Sequence, residues 1–156
     1  MGEQRLWIAL LRITLGGVWL FEAYPQVTNN SLYLSQGFGS AVRDMAGGCP
    51  WGLYRQFLES VVLTHQPVFA YLTLVANLAV GISLLLGMLT PYGAVGGLFL
   101  NANYAIASGW MDRSNYALNG LMFVAAIVVL ALAGGQAGGV DAIFASSSNS
   151  ARRRRY

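Results

Sequence analysis

Lysine is absent from this 156-residue chain, because all nine basic residues are arginine, and cysteine and histidine occur once each. The missing lysine excludes Schiff-base chemistry. The lone Cys49 excludes an intrachain disulfide, a CxxC redox pair and a cysteine zinc site. One cysteine and one histidine, His65, cannot build an iron–sulfur cluster or a bis-histidine haem site. We therefore expect no catalytic residues, no metal site and no intrinsic cofactor.

Charge is also scarce, since only 10% of the residues are charged and 56% are hydrophobic. The formal net charge is +3, and the basic residues outside the tail are scattered single arginines, which argues against binding to nucleic acid. The basic run lies in a tail at 145–156, which we predict to be cytoplasmic. We expect the run to contact anionic lipid or a partner protein; it comprises Arg152, Arg153, Arg154 and Arg155.

Long apolar runs dominate the rest of the chain, at 6–23, 68–88, 92–107 and 117–134. Each is about as long as the ~17–25 residues that a helix needs to cross a membrane. The runs are continuous and do not alternate, which favours helices over barrel strands. Arg12 interrupts the first run and argues against a cleaved signal peptide. We predict one all-α domain over 1–156, an integral membrane four-helix bundle.

The arginines predict the orientation of this bundle. Loops and tails rich in arginine stay in the cytoplasm, so both termini are expected there and the long segment at 25–66 outside. The expected location is the cytoplasmic membrane of a prokaryote.

The outer segment has two parts. Residues 25–50 are rich in proline, asparagine, serine and glycine, which predicts an irregular loop. A helical repeat of apolar residues then predicts a short amphipathic helix in the membrane interface. This helix is either a lid packed on the bundle or a docking or ligand-gating element. The repeat consists of Tyr54, Phe57, Leu58, Val61 and Val62.

Small residues predict the contact between the second and third apolar helices. Helices in lipid associate by close packing, which small side chains permit. The second helix offers Ala79, Ser83 and Gly87, and the third offers Gly93 and Gly97. Pro91 suits the first turn of the third helix, so a tight hairpin should join the two.

Polar residues at membrane depth are costly and are therefore candidates for function. They are either interhelical hydrogen-bonding groups or the lining of a polar pocket for a quinone head group, a pigment or a small acid. The ligand-facing candidates are Arg12, Asn77, Asn101, Asn103 and Tyr104. His65 has two interpretations as well, a structural residue or a ligand of a metal or pigment.

Four short motifs resemble those of the DoxX-type membrane proteins, a family that includes the DoxD small subunit of thiosulfate:quinone oxidoreductase. Residues 10–16 (LLRITLG) are similar to the LLRIxLG opening of that family, and residues 81–90 to its GxxLLLGxxT pattern. Residues 101–109 resemble NxNYxxAxG, and residues 133–134 with 139–141 resemble the AG…GLD ending. The motifs occur in the family's order over nearly the whole chain, which implies the family's four-helix architecture.

The chain departs from these relatives at two positions. They commonly place a lysine where this chain has Gln26 and a glutamate where it has Asn77. If the two positions pair in relatives, here two amides replace two charges, which keeps a hydrogen bond and removes an ionisable group.

Two functions follow from these considerations. The first is a non-catalytic subunit of a larger quinone-linked, photosynthetic or respiratory electron-transfer complex. Such a subunit would contact other membrane subunits and lipids and line a quinone, lipid or chlorophyll site. The second is the membrane subunit of a thiosulfate:quinone oxidoreductase-type enzyme.

Overall fold

The computed structural model of the chain describes residues 2–132 and 138–142, and every regular element in these ranges is helical. The tail with its four arginines lies outside the described residues. The helices are α1 (Glu3–Thr28), α2 (Asn30–Leu32), α3 (Phe38–Gly47), α4 (Gly52–Phe57), α5 (Gln66–Leu86), α6 (Thr90–Ser108) and α7 (Arg113–Ala131). Two π-helical turns, Tyr33–Gly37 and Leu58–Val62, lie between α2 and α3 and after α4.

Three of the described helices, α1, α5 and α7, are long and apolar enough to cross a membrane. The remaining long helix, α6, carries Asn101 and Asn103, which lower its hydropathy. The four-crossing arrangement therefore stays a prediction. The tight α5–α6 hairpin is confirmed, because Gly87 ends α5 in the left-handed region at φ +66° and Pro91 lies in the first turn of α6.

The first helix is longer than the predicted 6–23, because it continues through Pro25 to Thr28. A proline inside a helix lacks one backbone N–H, but a membrane-spanning helix tolerates this when other groups compensate. The missing N–H of Pro25 would have donated to the carbonyl of Phe21. Beyond the proline, the Thr28 hydroxyl donates to the carbonyl of Tyr24 at 3.0 Å, and the Asn29 N–H donates to that of Pro25 at 3.1 Å. These bonds close the last turn.

The four long helices pack in a closed order. Helix α1 lies against α5 and α7, and α6 lies against both α5 and α7. The shared core is apolar and contains Leu15, Trp19, Val80, Leu84, Ala94, Met122, Ala126 and Val129.

Gly16 brings α1 and α5 into backbone contact. A Cβ atom on this residue would lie 2.5 Å from the backbone nitrogen of Leu85 and 2.9 Å from the carbonyl oxygen of Gly81. This contact was not among the small-residue pairs expected from the sequence, which concerned only the α5–α6 interface.

The small-residue ladder predicted between α5 and α6 is formed only in part. Gly93 lies directly against the Ser83 side chain, and a Cβ atom on Gly97 would lie 3.4 Å from Val80, an ordinary contact distance. Ala79 is exposed and faces away from this interface. Gly87 contacts Arg12 and Gly139 rather than α6, because it has left the helical conformation at the end of α5.

The outer segment corrects the prediction of an irregular loop over 25–50, because most of it is helical. Buried side chains from α3 and from the turn after α4 form a second small core, which stabilises helices that glycine-rich composition alone would disfavour. This core consists of Val42, Ala46, Leu58 and Val62. The amphipathic helix expected around residue 54 is present, as α4 and the π turn that follows.

Candidate functional site

Of the predicted polar residues of the bundle, Arg12 lies at one end and Asn77, Asn103 and Tyr104 lie toward the other, whereas Asn101 belongs to neither group. Arg12 is 2% exposed. Its guanidinium lies at the end of α5, so close to Gly87 and Gly139 that a Cβ atom on either glycine would collide with it. Asn77 lies ten residues before Gly87, about 15 Å along the helix axis at 1.5 Å per residue. The structure therefore does not bring Arg12 together with the asparagines.

A network of neutral side chains joins three helices at the end of the bundle opposite Arg12, next to the segment 25–66. Asn77, on α5, donates from Nδ2 to Oε1 of Gln26 on α1 at 3.3 Å. The Tyr104 hydroxyl on α6 donates to Oδ1 of the same Asn77 at 3.3 Å. Asn77 is 2% exposed, and the nitrogen and the oxygen of its amide each have a hydrogen-bond partner inside the protein. We call these residues, Gln26, Asn77 and Tyr104, the amide network.

A second polar contact ties the outer segment to the bundle. The hydroxyl of Tyr54 in α4 donates to Oδ1 of Asn103 in α6. Burial raises the pKa of Tyr54 to about 12, with smaller contributions from Cys49 and Tyr104, so the hydroxyl stays protonated and remains a donor near neutral pH. The sequence placed Tyr54 only on an apolar helix face. Its partner was not predictable, since it lies 49 residues along the chain.

Gln26 connects the amide network to an open groove of about 1020 Å³ between α1 and the outer segment. The groove exposes more apolar than polar surface, and its lining includes one acidic and one basic side chain. Burial raises the pKa of Tyr33 in its wall, and the neighbouring Tyr104 adds to the effect. The groove was missed from the sequence because its second wall lies in the segment predicted to be irregular. Residues in its lining include Glu22, Gln26, Asn29, Tyr33, Gln36 and Arg43.

The inner group centres on Asp141 in the described segment 138–142. Its carboxylate accepts the backbone N–H groups of Leu89 and Thr90, each at 2.9 Å, and so caps the start of α6. Its own N–H donates to the carbonyl of Gly87 at 2.9 Å. Partial burial raises the pKa of Asp141, but the N–H groups of Thr90 and Leu89 and the charge of Arg12 outweigh it, so the pKa lies below 3.8.

The remaining candidates lie apart from these groups. His65 is exposed before α5, with Nδ1 3.1 Å from the carbonyl oxygen of Val61. Cys49 is buried, with its sulfur 3.7 Å from the carbonyl oxygen of Trp51. Within residues 2–132 and 138–142, no three histidine, cysteine or acidic side chains gather into a possible metal site. Asn101 is buried on α6, and its amide has no hydrogen-bond partner in the part of the chain that the structure describes.

Comparison with known proteins decides the family. A family model described as "TQO small subunit DoxD", the small subunit of thiosulfate:quinone oxidoreductase, matches residues 7–155. This chain belongs to the DoxD family. The DoxX-type resemblance of its motifs is thereby confirmed, and the apolar helices together with the family make this DoxD protein an integral membrane protein. No curated protein and no solved structure matches the chain.

Proposed function

We propose that this DoxD-family chain is a non-catalytic membrane subunit of a larger quinone-linked electron-transfer complex. It stabilises that complex, and its groove and amide network line a site for the head group of a lipophilic ligand, of which a quinone fits best. The observation that carries the proposal is the Gln26–Asn77–Tyr104 network, which links a groove of mixed apolar and polar surface to the interior of the bundle.

The chemistry of the network suits a quinone. A quinone head group presents carbonyl oxygens that accept hydrogen bonds and become hydroxyl donors on reduction. Amide and phenol groups supply both donors and acceptors without a net charge, which keeps their cost at membrane depth low. Lipid and pigment head groups that carry carbonyl oxygens need the same hydrogen-bond donors, and they are weaker alternatives to a quinone.

The absence of charge in the network also supports a binding role over a catalytic one. Gln26 and Asn77 hold each other at 3.3 Å through neutral groups, so the pair offers no proton-exchanging side chain near neutral pH. Redox chemistry in the complex is then carried by partner subunits.

Within the proposal, α6 is the fourth membrane crossing. Its 19 residues extend about 28 Å, close to the ~30 Å hydrocarbon thickness. Its asparagines face other parts of the protein, since Asn101 is buried and Asn103 accepts from Tyr54.

The alternative, a thiosulfate:quinone oxidoreductase-type enzyme subunit, is favoured by the family match itself. Assays of thiosulfate-dependent quinone reduction separate the two functions, using the purified chain alone and the complex that co-purifies in mild detergent. We expect no turnover by the isolated chain. Turnover by the chain alone would contradict the non-catalytic role.

A further inference from the structure

Six buried side-chain atoms of α1 and α6 lack a hydrogen-bond partner among the described residues, and three of these belong to Arg12 and Thr90 near the start of α6. The other three lie deeper in the bundle. They are Nε1 of Trp19 and both side-chain amide atoms of Asn101. Trp19 is 2% exposed and Asn101 1% exposed, so bulk water does not reach them. Buried donors and acceptors in folded proteins are paired in about nine cases out of ten, either with protein or with ordered water.

The unpaired indole nitrogen of Trp19 lies beside Gly97 of α6. A Cβ atom built on Gly97 would lie 3.5 Å from Trp19 Nε1 and 3.4 Å from the nearest Val80 carbon, which are ordinary contact distances. The neighbouring glycines of α6 have less space, because a Cβ on Gly96 would be 3.1 Å from Val80 and one on Gly93 would collide with Ser83. Gly97 therefore leaves room for at least one small atom beside the indole N–H.

Asn101 reaches the same place. It lies four residues after Gly97, so their Cβ positions are about 5–6 Å apart on one helix face. Helical side chains lean toward the N-terminus of their helix, which directs the Asn101 amide over the Gly97 turn. A single oxygen atom between the two residues can lie within hydrogen-bond distance, about 2.7–3.2 Å, of both the indole and the amide.

We propose that Trp19, Gly97 and Asn101 form a binding site for an internal water molecule, which accepts the Trp19 N–H and donates to Asn101. The site carries no charge, has room for at least one small atom and offers both donors and an acceptor, which is what a buried water requires. The water joins α1 to α6 in the middle of the bundle. It does so independently of any ligand in the outer groove.

Two substitutions of nearly equal size test this site. Gly97→Ser displaces the water and adds a hydroxyl next to Trp19 and Asn101 that can replace its hydrogen bonds, whereas Gly97→Ala displaces the water with a methyl group and leaves both residues unpaired. We expect the serine variant to melt at a higher temperature than the alanine variant. Alanine has the higher helix propensity, so packing and propensity alone predict the reverse order. An alanine variant that melts at or above the serine variant would overturn the proposal.

A spectroscopic measurement does not depend on the stability of the variants. The indole N–H signal of Trp19, assigned by its loss in Trp19→Phe, should show a magnetisation-transfer peak to water in the wild-type NMR spectrum. That peak should persist after delipidation and disappear in Gly97→Ala. A missing peak in the wild type excludes the water, and a peak that delipidation abolishes assigns the oxygen to a lipid hydroxyl instead.

Discussion

At the scale of single residues, close approach of α1 and α5 depends on the missing side chain of Gly16. Helices in a membrane gain little from excluding lipid, so direct contact of their surfaces supplies much of the attraction between them. Gly16 lies against backbone atoms of Leu85 and Gly81, which cannot move aside as a flexible side chain would. Any Cβ at this position must push the two helices apart.

Gly16→Ala should therefore lower the stability of the folded protein by about 1–3 kcal/mol, the usual cost of inserting a methyl group into a tightly packed interior. Thermal melting of the purified protein in detergent measures the effect. Gly17→Ala is the matched control, because a Cβ on Gly17 has no atom within 4 Å and should leave the melting temperature unchanged or raised. Equal melting temperatures for the two variants would refute the contact.

The sequence identified several polar residues of the candidate site but not their partners. Asn77 was recognisable because an amide inside an apolar run is costly. Its bond to Gln26 was suggested only by the departures from the DoxX-type pattern, and the structure places the two amides together. The proximity of Arg12 to Asp141 was missed, because it depends on how a segment 129 residues later returns to the end of α5.

At the scale of elements, Asp141 fixes the start of α6. Its carboxylate binds two backbone N–H groups at a helix end that would otherwise leave them unpaired. Hydrogen bonds and the nearby Arg12 charge stabilise the ionised form, which is why the folded-state pKa is lowered. Protonation of Asp141 therefore removes the stabilisation that its carboxylate gives to the folded state.

The lowered pKa of Asp141 determines how the stability of the folded protein depends on pH. The stabilisation by ionised Asp141 is fully present above its ordinary pKa of 3.8 and is lost as the pH falls through the lowered folded-state value. In thermal melts between pH 6 and pH 2, the melting temperature of the wild type should fall more steeply with decreasing pH than that of Asp141→Asn. Near neutral pH the variant should be about 1 kcal/mol less stable, as for loss of a helix cap.

Asp44→Asn, on the exposed surface of α3, serves as the control and should keep the wild-type pH profile. Parallel pH profiles for wild type and Asp141→Asn would show that the carboxylate does not stabilise the fold as an anion.

Local composition explains why the outer segment was predicted poorly. Its glycines, serines and asparagines indicate turns when each is considered by itself. The helices over 30–47 are instead stabilised by long-range burial, as Val42 and Ala46 pack against Leu58 and Val62. The amphipathic pattern around residue 54 was easier to interpret, because its apolar periodicity and its burial agree.

At the scale of the whole molecule, the outer segment and the α6–α7 turn lie together. The indole ring of Trp110 packs against Gly48, and Tyr54 binds Asn103 near the end of α6. Arg12, Gly87 and Asp141 gather at the opposite end. The order of the four apolar runs along the sequence agrees with this arrangement. The packing of α1 against α5 and of α6 against α7 could not be predicted from the sequence.

The predicted topology can be tested with single cysteines in a Cys49→Ala background. Ser40→Cys should react with a membrane-impermeant maleimide in intact cells, because the outer segment is expected outside. Gln4→Cys should react only after lysis, because arginine-rich ends stay in the cytoplasm. Both positions are exposed on the protein, so a difference in labelling reports the side of the membrane. The reverse pattern would invert the topology.

The central claim is that this DoxD-family chain contributes its amide network and groove to a quinone site in a larger complex. Photolabelling of the intact complex with an azide-bearing quinone, followed by mass spectrometry of the labelled peptides, tests it most directly. We predict an adduct on this chain within residues 22–43 or beside Asn77, which excess unmodified quinone suppresses. The adduct should weaken in Asn77→Leu but not in Asn119→Leu, whose amide, among the residues that the structure describes, bonds only to the carbonyl of Asn115 in its own helix. Competed labelling confined to partner subunits would contradict the account.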